Sequence, residues 1–494
     1  MKNKIVLVHA LFIKKDPVEQ RIQAPYFPLG LLYIASSLIK EGYDVEIFDC
    51  AFKEDYIDFE EFVKRNKPEF VGIQALMTVR RNSLIIAQIA KNYGAKVILG
   101  GPDPSAIPER YLLYKDGGDF PVDVVVKGEG EITICELMNH FFKKGDYKED
   151  IRDIEGIYIR KDDKVFFTGE RKLVEDLDSI PFPARELVDF EPYERMWRKK
   201  HGVFSLSIIN SRGCPYGCKW CQKSVFGRKL RIRSPENVAE EMKLIKDKYN
   251  PDFLRVVDDI TGIKRDFVFK WRDEVLKRDA AIPFECLSRV DLIDEELMKA
   301  LKDLKMIKIY FGAESGSQKV LDSMKKGTKV EDIYRASELC KKYRVKTHFF
   351  MMLGYPGEDF EDIKKSIKLL RDTLPDEFSV TVAYPLPGTE FYENVRNRLH
   401  FDEFNYLMDW DYTAENRLLF KREKFNTTFY RWVIRLFYRE WKDEKFLREK
   451  SFKRLYFKNK IELIVIRIIV NFLGFLLSKF PFLNKIKFIP AFGR

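Results

Sequence analysis

Residues 214–221 read Cys214-Pro215-Tyr216-Gly217-Cys218-Lys219-Trp220-Cys221 and place three thiols within eight positions. The other four cysteines are scattered singly: Cys50, Cys135, Cys286 and Cys340. A disulfide framework requires an even number of cysteines and an exported chain, whereas three close thiolates suit a soft metal or an iron–sulfur cluster. Three ligands on a four-iron cluster leave one iron open, so the loop predicts a cluster at which a substrate or cosubstrate can bind.

A closed structural zinc site is the alternative metal centre for this loop. Such a site needs a fourth ligand nearby. The nearest histidine, His201, lies upstream at no usual zinc-finger spacing. The cluster therefore explains the three cysteines better than zinc does.

The longer run Arg212-Gly213-Cys214-Pro215-Tyr216-Gly217-Cys218-Lys219-Trp220-Cys221 resembles the CxxxCxxC loop of the radical S-adenosylmethionine (SAM) superfamily, including the aromatic residue before the last cysteine. The resemblance implies that Cys214, Cys218 and Cys221 ligate a [4Fe-4S] cluster. Its open iron would chelate the amino and carboxylate groups of SAM. One electron from the cluster would then cleave SAM to methionine and a 5'-deoxyadenosyl radical.

Length and charge set further limits. A chain of 494 residues predicts two or three domains. No signal peptide is visible at the start, so we expect a cytoplasmic protein. The formal net charge of +11 belongs to the end of the chain, because residues 421–494 hold 19 Lys and Arg against 6 Asp and Glu. A tail that is both basic and apolar favours an anionic membrane surface over nucleic acid as its partner.

The N-terminal part alternates apolar strands with helical segments. Strands are predicted at residues 4–9, 44–49, 70–74, 96–99 and 123–126. Regular alternation of this kind predicts a parallel, doubly wound sheet, which binds ligands beyond the carboxyl ends of its strands. Glycine-rich turns stand at two of these ends: Gly100-Gly101-Pro102 and Gly128-Glu129-Gly130-Glu131.

These turns, with Pro28-Leu29-Gly30-Leu31-Leu32-Tyr33, resemble the cobalamin-binding domain that precedes many radical SAM enzymes. The candidate cobalamin residues are His9, Gly100, Gly101, Gly128, Glu129 and Gly130. The Asp-x-His-x-x-Gly motif that gives cobalt a histidine in methionine-synthase-like proteins is absent, and His9 is the one histidine in the early turns. The alternative is that the glycines only form the tight turns of a Rossmann-like sheet.

The predicted organisation has four parts. Residues 1–145 form the cobalamin-binding-like Rossmann domain, and residues 146–200 form a linker with a β-hairpin. Residues 201–395 form the radical SAM core, a partial (β/α)6 TIM-like barrel with a side opening for a bulky substrate. Residues 396–494 form a basic, aromatic-rich and mostly helical region.

Six residues near the ends of predicted barrel strands are candidates for binding SAM, each carried over from the family: Asp258, Asp259, Arg289, Glu314, Ser315 and Gly354. The acidic pair could also be a solvated turn, and Arg289 could form a structural salt bridge. Three tyrosines near strand ends, Tyr310, Tyr355 and Tyr384, could line a substrate pocket, although packing in the core is the simpler role for them.

Residues 461–478 approach the length of a membrane span, but Glu462 and Arg467 would be costly inside one. Polar or small residues recur on one side of the predicted helix: Arg467, Asn471, Gly474 and Ser478. Such a helix fits the plane of a membrane interface, with Lys479, Lys485 and Lys487 beside lipid headgroups. A helix buried against the barrel is the alternative.

The resemblance covers residues 4–395 and implies a cobalamin-dependent radical SAM enzyme. In methyltransferases of this class one SAM methylates the cobalamin, a second yields the radical, and a substrate carbon radical takes the methyl group. The amphipathic tail suggests a lipid or isoprenoid substrate and peripheral contact with the inner face of the cell membrane; a flavodoxin or ferredoxin would supply electrons. The alternatives are a cyclase, a ring-contracting or a carbon–carbon coupling enzyme without methyl transfer, and a non-enzymatic redox sensor.

Overall fold

The computed structural model describes residues 4–115, 118–144, 151–161, 163–399, 420, 422, 424–450 and 454–480. Its first sheet has seven strands: β1 (Lys4–His9), β2 (Asp44–Asp49), β3 (Phe70–Gln74), β4 (Lys96–Gly100), β5 (Val124–Val126), β6 (Ile157–Lys161) and β7 (Lys164–Phe167). They lie in the order β2-β1-β3-β4-β5-β6-β7. The first five are parallel, and the hairpin β6–β7 adds an antiparallel edge.

Helices cover both faces of this sheet. The N-terminal helices are α1 (Pro17–Ile22), α2 (Leu29–Lys40), α3 (Ile57–Asn66), α4 (Arg80–Asn92), α5 (Pro102–Ala106), α6 (Pro108–Leu112) and α7 (Glu131–Lys144). Packing from α2 and α7 on one face and from α3 and α4 on the other buries the four central residues of β1 to 1% exposure or less. Strands buried on both faces need continuous apolar runs, which is why these strands were predictable.

The second large sheet is the partial barrel. Its strands are β8 (Ser205–Ile208), β11 (Phe253–Val256), β12 (Phe284–Ser288), β13 (Met306–Glu314), β14 (Lys346–Leu353) and β15 (Glu377–Val382). All are parallel, in the order β15-β14-β13-β12-β11-β8. The doubly wound sheet followed by a six-stranded barrel confirms the predicted fold class. The proposed boundaries at residues 145, 200 and 395 stay predictions, although the hairpin of the predicted linker pairs with the first sheet.

Helices join the barrel strands and connect the two sheets. They are α8 (Glu191–His201), α9 (Pro235–Tyr249), α10 (Arg265–Lys277), α11 (Glu295–Asp303), α12 (Gln318–Ser323), α13 (Val330–Lys342), α14 (Phe360–Thr373) and α15 (Glu390–Val395). A two-stranded ribbon of β9 (Ser211–Arg212) and β10 (Arg231–Ile232) brackets the cysteine loop. This ribbon holds the two ends of the loop side by side.

Two long helices, α16 (Thr427–Arg448) and α17 (Arg454–Lys479), follow the barrel. Residues Leu463, Val470 and Leu477 of α17 are at most 1% exposed and join the core that contains the barrel. The buried-helix alternative is therefore correct for this face. By length and composition, Leu455–Lys479 could also cross a membrane, with a mean hydropathy of 2.2.

The polar stripe predicted on α17 does not face outward as a whole. Arg467 makes two hydrogen bonds of 2.6 Å to Glu440 of α16, and Gly474 packs on the ring of Phe360. Asn471 and Ser478 are exposed, while Lys485 and Lys487 lie outside the described residues. Arg467 and Gly474 of this stripe therefore meet the protein, as the buried-helix alternative requires.

Candidate functional site

A cavity of about 430 Å³ lies between the carboxyl edge of the first sheet and the segment that follows the cysteine loop. The glycine turns predicted from the sequence line one side: Gly100, Gly101, Gly128, Glu129 and Gly130. Residues 222–227 line the other side, together with Asp259 of the barrel. The structure thus places the glycine turns and the segment directly after the cysteine loop at one cavity, although residues 214–221 are not among those that line it.

Backbone geometry explains two of the glycines. Gly101 has φ of 110°, and a Cβ there would lie 2.7 Å from the carbonyl oxygen of Ala75. Gly128 has φ of 76°, and its Cβ would lie 3.5 Å from the carbonyl oxygen of Val225, just beyond the cysteine loop. Positive φ favours glycine at both positions, and close approach favours it at Gly101. Gly128 lies in ordinary contact with the segment after the cysteine loop.

The cavity suits a large, flat and mainly apolar cofactor. Most of its other wall residues are aliphatic, among them Leu7, Ile34, Ile73, Ile98 and Val126. No histidine is among the described residues that line it. These features fit a corrin ring that receives no protein histidine.

His9 lies elsewhere, on the strand next to the cavity. Its Nδ1 is 2.9 Å from Oδ1 of Asp49, whose Oδ2 accepts a 2.5 Å hydrogen bond from the hydroxyl of Tyr193 in α8. His9 is not among the cavity-lining residues. In this structure its ring helps to join the first sheet to the bridge before the barrel.

Four buried charges connect the glycine turn to the ribbon that carries the cysteine loop. Arg212 donates to Glu129 at 2.9 Å and to Glu131 at 2.6 Å, and Arg231 donates to the other oxygen of Glu129 at 2.6 Å. All four side chains are at most 8% exposed. Both carboxylate oxygens of Glu129 thus accept hydrogen bonds from Arg212 and Arg231. The remaining atoms of Glu129 face the cavity.

The cysteine loop leaves β9 with Cys214 buried and with Cys218 and Cys221 half-buried. Burial raises the pKa of the Cys221 thiol to about 11, so this thiol needs a metal to ionise it at neutral pH. Among the described residues no three His, Cys, Asp or Glu side chains are arranged around a single metal ion. A four-iron cluster is wider than one ion, and its thiolates stand further apart.

The two acidic candidates after β11 differ in their surroundings. Asp258 is buried and its Oδ1 accepts hydrogen bonds from the amides of Asn210 and Ser211, at 2.6 and 3.0 Å. Burial raises its pKa to about 7. Asp259 lines the cavity; burial raises its pKa, and the nearby Lys223 opposes that shift. Asp258 therefore holds the backbone of Asn210 and Ser211 just before the cysteine loop, and Asp259 faces the cavity.

Arg289 lies against the cysteine loop. Its guanidinium is 3.7 Å from the centre of the Tyr216 ring and makes two hydrogen bonds to Asp291, at 3.0 and 3.1 Å. The predicted salt bridge is present, and the stacking also ties this cation to the loop. A stacked guanidinium keeps donors free at its edge.

Glu314 is the last residue of β13 and Ser315 follows it, but the two side chains make different contacts. Glu314 has φ of 61° and pairs with Lys326 at 3.2 Å; both side chains are buried. The Lys326 ammonium also lies 5.6 Å from the ring of Trp220 in the cysteine loop. The Ser315 hydroxyl is 3.1 Å from that of Ser366 in α14. Lys326 thus lies between Glu314 and the cysteine loop, and Ser315 holds the strand end to the helix.

Gly354 is covered by the C-terminal region. Arg422 donates to its carbonyl oxygen at 3.2 Å and also to the carbonyl of Ala383. A Cβ on Gly354 would lie 2.7 Å from Nε of Arg422 and 3.0 Å from the Tyr430 ring. Its amide donates to Glu358 at 2.6 Å. Contact with Arg422 and Tyr430 therefore requires glycine here.

Several of these partners were not anticipated from the sequence: Arg212 and Arg231 as the partners of Glu129, Lys326 as the partner of Glu314, and Arg422 beside Gly354. Charged residues next to predicted turns were the available signal. Their pairing depends on tertiary contacts, which spacing along the chain does not reveal.

Comparison with known proteins bears on both domains. The sequence model of the Radical SAM superfamily matches residues 208–370, and that of the B12 binding domain matches residues 18–138. A relative from Pyrococcus horikoshii, described as uncharacterized methyltransferase PH0819, is 30% identical over 74% of this chain and 78% of its own.

More distant relatives include both methylases and cyclases. The anaerobic magnesium-protoporphyrin IX monomethyl ester cyclase of Rubrivivax gelatinosus is 27% identical over 77% of this chain and 69% of its own. The hopanoid C-3 methylase of Methylococcus capsulatus is 25% identical over 80% and 73%. The structure of the radical SAM methyltransferase TsrM from Kitasatospora setae, with cobalamin and a [4Fe-4S] cluster bound, shares the fold: TM-score 0.67, 19% identity, over 80% of this chain and 75% of TsrM.

These findings confirm the predicted family, enzyme class and set of cofactor domains, and they exclude the non-enzymatic sensor as the description of the whole chain. They favour a methyltransferase over the cyclase alternative. The individual cofactor ligands stay predictions. The chain belongs to the radical SAM enzymes that carry an N-terminal B12-binding domain, in the methyltransferase branch of that family.

Proposed function

We propose that this enzyme transfers a methyl group to an unactivated carbon and uses the cavity between its two domains to do so. The observation that carries this proposal is that the glycine turns of the B12-binding domain and the segment directly after the cysteine loop line one cavity. A methyl donor and a radical generator must act on one substrate carbon, so their sites have to adjoin.

When bound, the cluster and SAM supply a carbon-centred radical, and cobalamin supplies the methyl group. The chain's own residues bind and orient these groups. The proposed cluster ligands are Cys214, Cys218 and Cys221. The proposed SAM residues are Asp258, Asp259, Arg289, Glu314, Ser315 and Gly354, with Asp258, Ser315 and Gly354 acting through backbone or packing. The proposed cobalamin residues are Gly100, Gly101, Gly128, Glu129 and Gly130; His9 is left out because its ring meets Asp49.

The proposal of methyl transfer is tested with anaerobically reconstituted protein, SAM, a low-potential reductant and candidate substrates. Formation of both 5'-deoxyadenosine and S-adenosylhomocysteine supports methylation. Formation of 5'-deoxyadenosine alone would support the cyclisation or coupling alternative and refute methyl transfer. A flavodoxin or ferredoxin is the proposed physiological reductant.

We further propose a lipid or isoprenoid substrate and peripheral contact with the inner face of the cell membrane. The outer face of α17 is apolar, with these residues 50–65% exposed: Leu455, Phe457, Ile461, Ile464, Val465, Ile468, Phe472 and Phe475. Large exposed apolar patches mark interaction sites. Because the helix is packed on the protein by its other face, its outer face can lie in the plane of a membrane without crossing it.

Vesicle flotation tests the membrane contact. Vesicles of phosphatidylcholine and phosphatidylglycerol should float the wild-type protein, while the double variant I468E/F472E should stay in the soluble fraction. The matched control L244E changes an exposed leucine on the outside of the barrel and should leave flotation unchanged. Equal flotation of all three proteins would contradict the contact through α17.

A further inference from the structure

The turn at Gly354 is held from both sides by charged side chains. Its amide donates to Oε2 of Glu358 at 2.6 Å, and its carbonyl oxygen accepts a 3.2 Å hydrogen bond from Arg422. Arg422 also donates to the carbonyl oxygen of Ala383, which directly follows β15 just as Gly354 directly follows β14. One guanidinium from the C-terminal region therefore spans the carboxyl ends of two neighbouring barrel strands.

The two charged groups each keep one buried atom available. Glu358 is 4% exposed, and Nη1 of Arg422 is buried. Among the described residues, neither Oε1 of Glu358 nor Nη1 of Arg422 has a hydrogen-bond partner. Both residues line one void of about 20 Å³, which has room for a single bridging water molecule. This acceptor and this donor are therefore placed to interact across the void.

The ionisation of Glu358 depends on the groups that surround it. Burial raises its pKa to about 8, and the charges of Asp362 and Asp359 at the beginning of α14 act in the same direction. The hydrogen bond from the Gly354 amide and the charge of Arg422 oppose this rise. The other titratable groups at the void or beside α14 are Tyr355, Arg398, Lys424, Tyr430 and Lys319.

Arg422 differs from Glu358 in its charge at neutral pH. Burial lowers the pKa of Arg422 to about 10, which still leaves the guanidinium charged. Most Glu358 carboxyls carry a proton at that pH, because their pKa is about 8. Ionisation of Glu358 is therefore the step that neutralises the buried cation.

The void adjoins the cysteine loop through a shared apolar cluster. Tyr355 belongs to this cluster together with Phe391 and Phe420, and Trp220 of the cysteine loop packs against it. The guanidinium of Arg422 lies 4.4 Å from the centre of the Phe420 ring. The C-terminal region thus reaches the proposed SAM site, although it lies beyond residues 208–370 of the radical SAM match.

We propose that the C-terminal region is part of the SAM site, and that Glu358 and Arg422 are positioning residues whose paired charges hold the Gly354 turn when SAM binds. The sulfonium of SAM is positive and favours the ionised form of a nearby carboxyl. Ionised Glu358 is also a stronger acceptor for the Gly354 amide. SAM binding should therefore release a proton from Glu358 and become tighter as pH rises. This inference rests on the SAM site of the proposed function, but not on methyl transfer.

Equilibrium dialysis of SAM with the anaerobic holoenzyme tests this inference. A fall in the pKa of Glu358 from about 8 to about 7 on binding predicts about five-fold tighter binding at about pH 8.5 than at about pH 6.5. The α-amino group of SAM titrates in the same range, but its contribution is common to all variants. The gain in E358Q should be about five-fold smaller than in the wild type. The control E338Q, which changes an exposed glutamate of α13, should match the wild type.

Two substitutions of Arg422 separate its charge from its hydrogen bonds. R422M removes the cation that favours ionised Glu358, so it should lose the same part of the pH dependence as E358Q. R422K keeps the charge and should retain that part, although loss of the guanidinium fork weakens SAM binding at both pH values. A purely structural role would instead lower the affinity equally at the two pH values in all three variants.

Equal pH dependence in the wild type and E358Q, or an unchanged pH dependence in R422M, would overturn the proposal. If E358Q does not fold, the comparison of R422M with R422K decides.

Formation of S-adenosylhomocysteine separates this inference from the proposed function. SAM binding whose pH dependence requires Glu358, without S-adenosylhomocysteine formation from any candidate substrate, would refute methyl transfer and leave the positioning pair standing. Methyl transfer by the wild type, with the same pH dependence of SAM binding in E358Q and R422M, would refute the pair and leave the function standing.

Discussion

Neutralising Glu131 should weaken the connection between the glycine turn at residues 128–131 and the ribbon that carries the cysteine loop. Glu131 pairs with Arg212 at 2.6 Å, and their side chains are 8% and 4% exposed. Within the network two carboxylates balance two guanidinium groups, so E131Q leaves an uncompensated buried positive charge. Removing one partner of a buried pair costs about 3–5 kcal/mol. Because glutamine can keep one hydrogen bond, we expect E131Q to lower the free energy of unfolding by about 3 kcal/mol.

The matched control is E175Q. Glu175 pairs with Lys229 at 2.6 Å, but these side chains are 64% and 59% exposed. Exposed pairs contribute about 1 kcal/mol or less. Urea unfolding of the anaerobic holoenzyme should therefore separate E131Q from E175Q by about 2 kcal/mol.

A double-mutant cycle with R212M sharpens this test. Each single variant leaves an unpaired buried charge, whereas E131Q/R212M removes both charges together. The double variant should be more stable than the sum of the two single effects implies, by about 2 kcal/mol. Additive effects, or equal stabilities of E131Q and E175Q, would refute the role assigned to this network.

Three further outcomes are expected. Burial raises the pKa of Asp258 from 3.8 to about 7, so the native state keeps a proton that the unfolded chain releases, and stability falls as pH rises across that window. Urea unfolding at about pH 5 and about pH 8 should show a smaller fall in D258N than in the wild type. Part of the fall should remain, because burial also raises the pKa of Glu358 to about 8. R422M should weaken SAM binding about ten-fold without altering the cluster spectrum, because Arg422 holds the carbonyl of Gly354. G354A should do the same, since its Cβ would lie 2.7 Å from Nε of Arg422. Unchanged SAM affinity in both variants, measured by equilibrium dialysis, would remove Arg422 and Gly354 from the SAM site.

Local patterns were sufficient for the architecture. Apolar runs such as Ile5–Val8 and Val124–Val126 are buried on both faces, so their strands could be predicted without tertiary information. The glycines at strand ends also allowed the cavity to be located from local sequence. Gly101 and Gly128 have positive φ, which a side chain would oppose. The cysteine spacing is equally local.

The partners of charged residues could not be predicted in this way. Glu129 was expected to face cobalamin, but its carboxylate meets Arg212, which is 83 positions away along the chain. In α17 both faces are apolar, so the helical pattern could not tell which one meets the protein. The side of α17 that carries Arg467 meets the protein, because Arg467 pairs with Glu440 on the preceding helix.

The central claim is that three thiolates hold a four-iron cluster with one iron open to SAM. Mössbauer and electron paramagnetic resonance spectroscopy of the anaerobically reconstituted protein test it most directly, with and without SAM. We predict about four irons per chain in a [4Fe-4S] cluster whose spectrum changes when SAM is added, and loss of both features in C214A, C218A and C221A. Zinc in place of iron, or undiminished 5'-deoxyadenosine formation in any of the three variants, would contradict the account.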